Sequence, residues 1–536
     1  MKRLHPTRFV QAILILATAW LASPLAAEQP ATRLQLTYQV ETATDSGCFH
    51  RLQREENWPS DKTAIIVCDM WDAHHCYRAV QRGTELAPLI NQLLEKTRPT
   101  GVTIIHAPSS CMEAYVDHPA RHRAVAVPAA ASHPDDIAAW CHQIPSEEQG
   151  VYPIDQSDGG EDDTPEEHAA WEQELVKRGR NPRQPWKRQT DLIRIDDKDF
   201  ISDSGVEIWN ILAARGIENV ILTGVHTNMC VLGRPFGLRR MASAGKNVVL
   251  MRDLTDTMYN PAAKPYVSHF TGTDLIIDHI ERFVCPTITS DQILGGQPFR
   301  FENDNRPRLA MLIGEREYQT HRTLPKFAIE HLGRDYQVDI IHASQTDPNT
   351  FPGIERVAKA DALLLSVRRR TPPATELDVV RQFVAAGKPV LGIRTASHAF
   401  CLRNKPAPKG LSDWPQLDAE VFGGNYSNHY GNDKTATVEW IAEASKHPVL
   451  AGIDTDRFAS GGSLYVVSPL ADGATPLATG KIDGKPAEPV AWTFSRTDGG
   501  KSFYTSLGHI EDFKQPAFQR LLKQAIDWSV AATQTP

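Results

Sequence analysis

NVILTGVHTNMCV, Asn219 to Val231, is the stretch whose reading decides the fold. Val220 to Leu222 form an apolar run that suits a buried strand, and Val225 continues it beyond Thr223 and Gly224. A strand that stops at a glycine and turns into a helix places the first helical residues at the carboxyl edge of a parallel sheet, where open α/β folds put their ligands. Cys230 follows the glycine by six residues, so its thiol is expected there. The positive end of a helix dipole at that edge favours thiolate over thiol. Two readings stay open on this stretch alone. Cys230 is either a nucleophile or a buried cysteine of a strand–helix unit, since free cysteine is among the most buried residue types.

The chain has 536 residues, 41% hydrophobic and 23% charged. That is the composition of a soluble globular protein too long for one core, so two domains are expected. The formal net charge of −8 argues against nucleic acid as a partner, because phosphate binding needs a basic surface. Lys2, Arg3 and Arg8 precede an apolar run from Phe9 to Leu25, and Ala26-Ala27 follows. Residues 1–27 therefore read as a secretory signal peptide, with a retained anchor as the alternative. The expected destination is outside the cytoplasm, secreted or periplasmic, with no membrane association after cleavage. The eight cysteines are too sparse for a disulfide scaffold, and without a CxxC pair they suggest no thiolate metal site.

Outward from the opening stretch, strands and helices alternate. LQLTYQV (Leu34 to Val40) is a strand-like run. Ala64 to Cys68 is a short buried strand with Asp69 at its carboxyl end, and LAPLINQLLEKTR is a helix leading to a strand at Val102–His106. LIRI (Leu192 to Ile195) is read as a further strand, VEIWNILAARG as a helix ending at Gly216, and NVVLMRD as another strand. The pattern breaks between Trp140 and Trp186, a segment too long for an ordinary connection. Its acidic run DQSDGGEDD (Asp155 to Asp163) lacks the alternation and terminal glutamate of an EF-hand, so it is taken as a solvated loop and no metal is expected. A Pro- and Gly-rich connection closes this half. A second α/β series then runs through RLAMLIG, VDIIHAS, ADALLLSV and KPVLGIR to SFYTSLGH and a final amphipathic helix. The expected architecture is α/β: two three-layer α/β/α domains in series, each with a mostly parallel sheet. The boundaries are 28–290 (insertion at about 140–190), a linker at 291–307, and 308–536.

Asp69, Lys198 and Cys230 stand out at strand ends or exits. A carboxylate can take a thiol proton, an ammonium can stabilise the charges that develop, and a thiolate can attack a carbonyl. Taken singly, each has a plainer role as helix cap, surface charge or core. Together, VCDMW, a lysine some thirty residues before the cysteine, and TGVHTNMCV resemble the isochorismatase-like cysteine hydrolases over roughly Lys62 to Arg282. The resemblance implies Asp69 as general base, Lys198 as charged partner and Cys230 as nucleophile. It also implies a cis peptide at Val225–His226, with the N–H groups of His226 and Cys230 forming the oxyanion hole. Lys198 departs from the pattern in being followed by DFISDSG. The Asp-x-His plus distal His set that holds a metal in nicotinamidases is not evident, since His74 and His75 follow Asp69 too closely. Trp71, His74, His106 and Ser109 are the expected pocket residues.

In the second half, KPVLGIRTASHAF (Lys388 to Phe400) has the shape of a strand entering a nucleophile elbow, and SLGHIED carries His509 and Glu511 two apart. These resemble class I glutamine amidotransferases, but Arg394 stands where their cysteine would be. A permanently charged guanidinium is no nucleophile. GIRTASHAF, FGGNYSNHYG and the GH of SLGHIEDF more closely resemble the trehalose-utilisation (ThuA-like) domains, over roughly Arg308 to Ala531. Arg394, His398, His429, His509 and Glu511 are the expected ligand-site residues there. The combined expectation is an exported cysteine hydrolase that cleaves a C–N bond of an amide-like small molecule, without a cofactor and with scope for a homo-oligomer. The alternative is a carbohydrate-binding or carbohydrate-processing protein acting through the second domain.

Overall fold

The computed structural model describes residues 31–453 and 457–531. The leader expected over residues 1–27 lies outside the described residues. Among the described residues, no helix is long and apolar enough to cross a membrane.

The first domain is an eight-stranded sheet. Strands β1 (Ala31–Glu41) and β2 (Phe49–Pro59) form an antiparallel hairpin on one edge. Then come β3 (Thr63–Cys68), α1 (Tyr77–Thr97), β4 (Thr103–Ala107), α2 (Pro119–Val125), α3 (Pro165–Lys177) and β5 (Phe200–Ile201). The domain continues through α4 (Gly205–Ala214), β6 (Asn219–Val225), α5 (Leu238–Ser243), β7 (Asn247–Asp256), α6 (His269–Phe283) and β8 (Thr287–Ile288). The strand order is β2-β1-β8-β7-β6-β3-β4-β5, parallel from β8 to β5. β3, β4 and β6 are buried along their whole length, as expected for strands covered on both faces. One apolar cluster, with Ile66, Leu222 and Ile276, lies on one face; another, with Ile65, Ile90 and Ile221, lies on the other.

The chain proceeds from β3 to β4 and β5 on one side, then returns to lay β6, β7 and β8 on the other. Its topological switch point therefore falls between β3 and β6, whose carboxyl ends are Cys68 and Val225. Cys68 pairs with Gly224 there, and Gly224 has φ +105°. A Cβ on Gly224 would stand 2.1 Å from the Cys68 carbonyl oxygen, so only glycine permits the two strand ends to meet. The strand expected at Leu192–Ile195 is absent. Only Ile193 is buried in that run, and the short partner of β4 is instead Phe200–Ile201.

A short helix, α7 (Asp291–Leu294), begins the connection to the second domain, and Phe299 and Phe301 pack against the first core. The second domain comprises β9 (Arg308–Gly314), α8 (Thr320–Phe327), β10 (Gln337–His342), β11 (Ala362–Val367), α9 (Ala374–Ala385) and β12 (Val390–Ile393). It continues with β13 (Asn428–His429), β14 (Thr437–Trp440), β15 (Phe458–Ala459), β16 (Tyr465–Val466), β17 (Ala474–Lys481), β18 (Glu488–Ser495), β19 (Lys501–Thr505) and α10 (Pro516–Ala531). Its nine-stranded sheet has the order β10-β9-β11-β12-β19-β18-β17-β14-β15, parallel from β10 to β19 and antiparallel beyond. The first five strands follow the flavodoxin-like order, with a switch point between β9 and β11.

The insertion is ordered and largely docked. Glu147 sits buried between α5 and α6, accepting from Arg239 Nε and Nη2 at 2.8 Å each, with His279 Nε2 also at 2.8 Å. The acidic run is not simply solvated, contrary to expectation. Asp162 is buried against Arg82, and Asp163 accepts the N–H groups of Tyr77 and Arg78 at the start of α1. Unpaired N–H groups at a helix start explain why carboxylates fold back onto it. Cys76, Asp162 and Asp163 present their ligand atoms close together. Each is already committed to these protein partners.

Burial alone would raise the Glu147 pKa, but the His279 hydrogen bond and the Arg239 pair bring it down to about 2. A depressed carboxylate contributes stability above its unfolded pKa of about 4.3 and loses it as pH falls toward the folded value. Glu147→Gln is expected to lower unfolding free energy at pH 7 by on the order of 3 kcal/mol, as for breaking a buried pair. In denaturant titrations from pH 5 to pH 2, the wild-type advantage over the variant should shrink as pH falls.

Candidate active site

Asp69 stands one residue past β3, in the left-handed region at φ +47° and fully buried. One carboxylate oxygen accepts the Ser109 N–H at 2.7 Å; the other accepts Arg234 Nε at 3.1 Å. Cys230 lies in the turn of helix from Thr227 to Val231 that follows β6 across the switch point. Its thiol interacts with both the Asp69 carboxylate and the Arg234 guanidinium. Cys230 and Arg234 are four residues apart, and the Arg234 N–H donates to the Cys230 carbonyl at 3.0 Å, as on one helical face. The peptide between Val225 and His226 is cis, as the resemblance implies.

The electrostatics differ from the helix-dipole expectation. Burial first, then the Asp69 charge, pushes the Cys230 thiol well above its ordinary value, while Arg234 pulls it down. Burial likewise raises Asp69, against the lowering effects of Arg234, Cys230 and Ser109. Cys230 and Asp69 thus stand side by side, each raised by burial, with one cation against both.

Lys198 does not occupy the place expected for it. It is exposed in the turn before β5, where its N–H donates to Asp196 Oδ1 at 3.0 Å. The adjacent Asp199 takes the inward position, bonding Arg98 Nη2 at 2.8 Å and His106 Nε2 at 3.1 Å. The pull of Arg98 and His106 on Asp199 leaves Lys198 facing solvent in this turn. The cation beside Asp69 is Arg234, which the sequence reading missed although its i+4 spacing from Cys230 was visible.

His106 is likewise not a pocket residue. It is fully buried, with its ring nitrogens occupied by Gln189 (3.1 Å) and Asp199. Ser109 serves through its backbone N–H to Asp69. Trp71 and His74 do line a small cavity with Asp69, Thr190 and His226. There Trp71 stacks on Trp186 at 4.5 Å between ring centroids, and His74 meets the His226 ring at 4.8 Å. Burial first, then His226 and His75, lowers the His74 pKa well below its ordinary value. The insertion packs against Arg234. Trp140 lies over the Arg234 guanidinium at 5.3 Å, and a Cβ on Gly233 would run into its indole at 2.4 Å. The cavity thus presents Trp71, His74 and His226 beside the Asp69 carboxylate, with Cys230 and Arg234 on the far side of that carboxylate's contacts.

In the second domain, β12 turns at Arg394, whose φ of +46° gives the expected elbow. Its guanidinium is buried between the rings of Tyr318 (4.0 Å) and Tyr465 (4.8 Å) and donates to the Ser506 carbonyl at 2.6 Å. His398 is buried and stacked on Tyr426 at 4.7 Å, and His509 approaches Tyr318 at 6.1 Å. Glu511 does not form a dyad with His509. Its carboxylate pairs with Lys514 in solvent, while its N–H donates to His509 Nδ1 at 3.2 Å. His429 is exposed on β13, with its ring 6.4 Å from Tyr465. Three of the five expected residues thus converge, joined by tyrosines that the sequence reading did not single out.

Residues 63–265 match the profile of the isochorismatase domain family, and residues 310–529 match that of the ThuA family, described as trehalose utilisation. The chain joins an isochorismatase-like domain to a ThuA-like domain. Among solved structures, a putative ThuA-like protein from Bacteroides uniformis is 16% identical over 44% of this chain and 95% of its own, with a TM-score of 0.32. A second from Parabacteroides merdae is 15% identical over 43% of this chain and 93% of its own, with a TM-score of 0.31. A cysteine hydrolase from Pseudomonas syringae pv. phaseolicola is 16% identical over 44% of this chain and 92% of its own, with a TM-score of 0.27. Comparison with curated proteins gives no match.

Replacing Arg234 by Met leaves Asp69 buried without its cation and removes the group that lowers the Cys230 pKa. The rate of Cys230 alkylation by iodoacetamide at pH 8 is expected to fall about tenfold, the effect of one pKa unit. Lys198→Ala should leave that rate unchanged.

Proposed function

We propose that the isochorismatase-like domain is a cysteine hydrolase cleaving a C–N bond of an amide-like small molecule. The observation that carries this reading is the meeting of Asp69 and Cys230 across the β3–β6 switch point, with Arg234 against both. As the sulfur attacks the carbonyl carbon, its proton passes to Asp69, and the C=O electrons move onto oxygen. The N–H groups of His226 and Cys230 receive that oxyanion, a contribution of a few kcal/mol per donor. Collapse of the intermediate breaks the C–N bond. The leaving nitrogen takes the proton from Asp69 and departs as ammonia or an amine, leaving a thioester on Cys230. Water then gives a proton to the regenerated Asp69 carboxylate and attacks the thioester, and the expelled thiolate recovers that proton. The product is a carboxylic or carbamic acid.

Arg234 is the counter-charge in this scheme, in the role that the sequence pattern assigned to Lys198. It lowers the energy of thiolate relative to thiol without being able to protonate the leaving group, because guanidinium does not give up its proton in this pH range. Protonation of the leaving nitrogen therefore falls to Asp69 alone. Trp71, Trp186 and His74 form a flat aromatic wall suited to a planar substrate. The apolar leader at residues 9–25 supports action outside the cytoplasm.

A second reading places carbohydrate binding or processing in the ThuA-like domain. The convergence of Arg394, His398 and His509 with Tyr318, Tyr426 and Tyr465 supports a ligand site there.

A panel of amides, ureides and carbamoyl compounds tests the principal reading by ammonia or amine release. Cys230→Ala and Asp69→Asn should each reduce turnover by about a thousandfold or more. The acid limb of kcat/KM should report Asp69, and it should lie above the ordinary carboxylate value because burial raises this group. Turnover that survives Cys230→Ala contradicts the reading.

A further inference from the structure

Where the two domains meet, a cavity of about 290 Å³ opens over the carboxyl ends of β9 and β10. It sits beside the β9–β11 switch point, the place at which a flavodoxin-like sheet leaves a crevice for a ligand. The second domain supplies the floor and most of the charge, through Arg316, Arg370, His321 and His342. The first domain supplies the roof: the turn of the β1–β2 hairpin, with Thr42, Ala43 and Ser46, reaches across. The Gln345 side-chain amide donates to Thr42 Oγ1 at 2.8 Å and ties the roof to the floor.

The charge lining this space is unbalanced. Glu315 is the one acid among the lining residues, and it is already engaged. It is buried and accepts the N–H groups of Thr320 and Tyr318, each at 2.8 Å. Glu41 on the hairpin is taken up by the N–H groups of Asp45 and Gly47. Arg316 has no ion pair or side-chain hydrogen bond among the described residues. Arg370 uses only Nε, which donates to the Gly314 carbonyl at 2.9 Å. Burial, and after it the charges of Arg316 and Arg368, lowers the Arg370 pKa, with Glu315 acting in the opposite sense. Arg368 is itself paired with Glu317 at 2.7 Å and so is not available to the cavity.

His342 adds an independent sign. It is 7% exposed, lines the cavity, and its ring makes no hydrogen bond among the described residues. On the same wall, His321 Nδ1 is buried without a hydrogen-bond partner among the described residues, a state folded proteins seldom leave unfilled, and the His342 ring lines the same space. Burial, then His50 and His321, brings the His342 pKa to about 4. At neutral pH it therefore offers one donor and one acceptor rather than a third positive charge.

We propose that this interdomain cavity is a binding site for a small anion bearing a carboxylate or phosphate group, held by Arg316 and Arg370 and closed by the β1–β2 turn of the hydrolase domain. Guanidinium groups match both oxyanions through paired N–H donors. The hydroxyls of Thr42, Ser46 and Ser344 and the His342 ring suit a ligand that also carries hydroxyl groups. Because the roof belongs to one domain and the floor to the other, an occupant bridges them. The site stands apart from Cys230 and does not depend on the hydrolase reading.

The test is isothermal titration of the full chain with inorganic phosphate, citrate, glucose 6-phosphate and glucose, at one ionic strength set with sodium chloride. Saturable binding of at least one anion is expected, with none for glucose. A preference for glucose 6-phosphate over phosphate assigns the hydroxyl contacts, whereas a preference for citrate assigns a carboxylate ligand. Arg316→Gln removes an exposed, unpaired charge and should weaken binding at least tenfold. Ala43→Trp fills the cavity from the roof and should abolish binding. Thermal unfolding of both variants without ligand checks that each is folded. No saturable binding of any anion overturns the proposal, as does anion binding that both substitutions leave unchanged, or glucose binding as tightly as the anions.

Discussion

The ion pair between Asp69 and Arg234 is the interaction on which the active-site account depends. A carboxylate with no exposed surface is costly unless it is paired and hydrogen-bonded. Here Arg234 supplies the charge and Ser109 a backbone donor. Three strand ends must coincide for this to happen. β3 delivers Asp69, the exit of β4 delivers Ser109, and β6 leads into the helical turn that carries Cys230 and, one turn later, Arg234. The absence of a side chain at Gly224 lets the β3 and β6 ends meet. The insertion then covers the pair from outside, with Trp140 over the guanidinium.

The two domains answer the same geometric opportunity in opposite ways. Each has a residue in the left-handed region past a central parallel strand, Asp69 in the first and Arg394 in the second. In the first, the residue is an acid poised against a thiol. In the second, the elbow position carries a guanidinium packed between two tyrosines, which fills the site with a fixed positive charge and no attackable sulfur. The interface between the domains is itself charged. Arg51 on β2 joins Glu281 of α6 at 2.8 Å and also contacts Asp278 and Asp339.

Much of this was legible in the sequence because its signals are local. Buried parallel strands read as short apolar runs, so β3, β6, β7, β9, β11 and β12 were visible, and the positions of Asp69, Cys230 and Arg394 follow from strand ends. Long-range selection was not visible. Lys198 and Asp199 are adjacent, and only the packed structure decides which one turns inward; Arg98 and His106, distant in sequence, draw in Asp199. The same limit applies to His106, whose polar character suggested a pocket but whose partners make it structural. Glu511 was misjudged because a His-x-Glu spacing says nothing about Lys514 nearby. The antiparallel half of the second sheet also escaped notice: β17 and β18 carry proline and small residues that blur period-two alternation.

The central claim is that Cys230 becomes acylated during turnover. Intact-protein mass spectrometry after acid quench, with a substrate found by amide screening, tests it directly. The account predicts a mass increase equal to the acyl portion of the substrate. Peptide mapping should place that increase on the segment containing Cys230, and hydroxylamine should remove it. Turnover with no acyl adduct under conditions that trap thioesters, or an adduct on another of the eight cysteines, would contradict it.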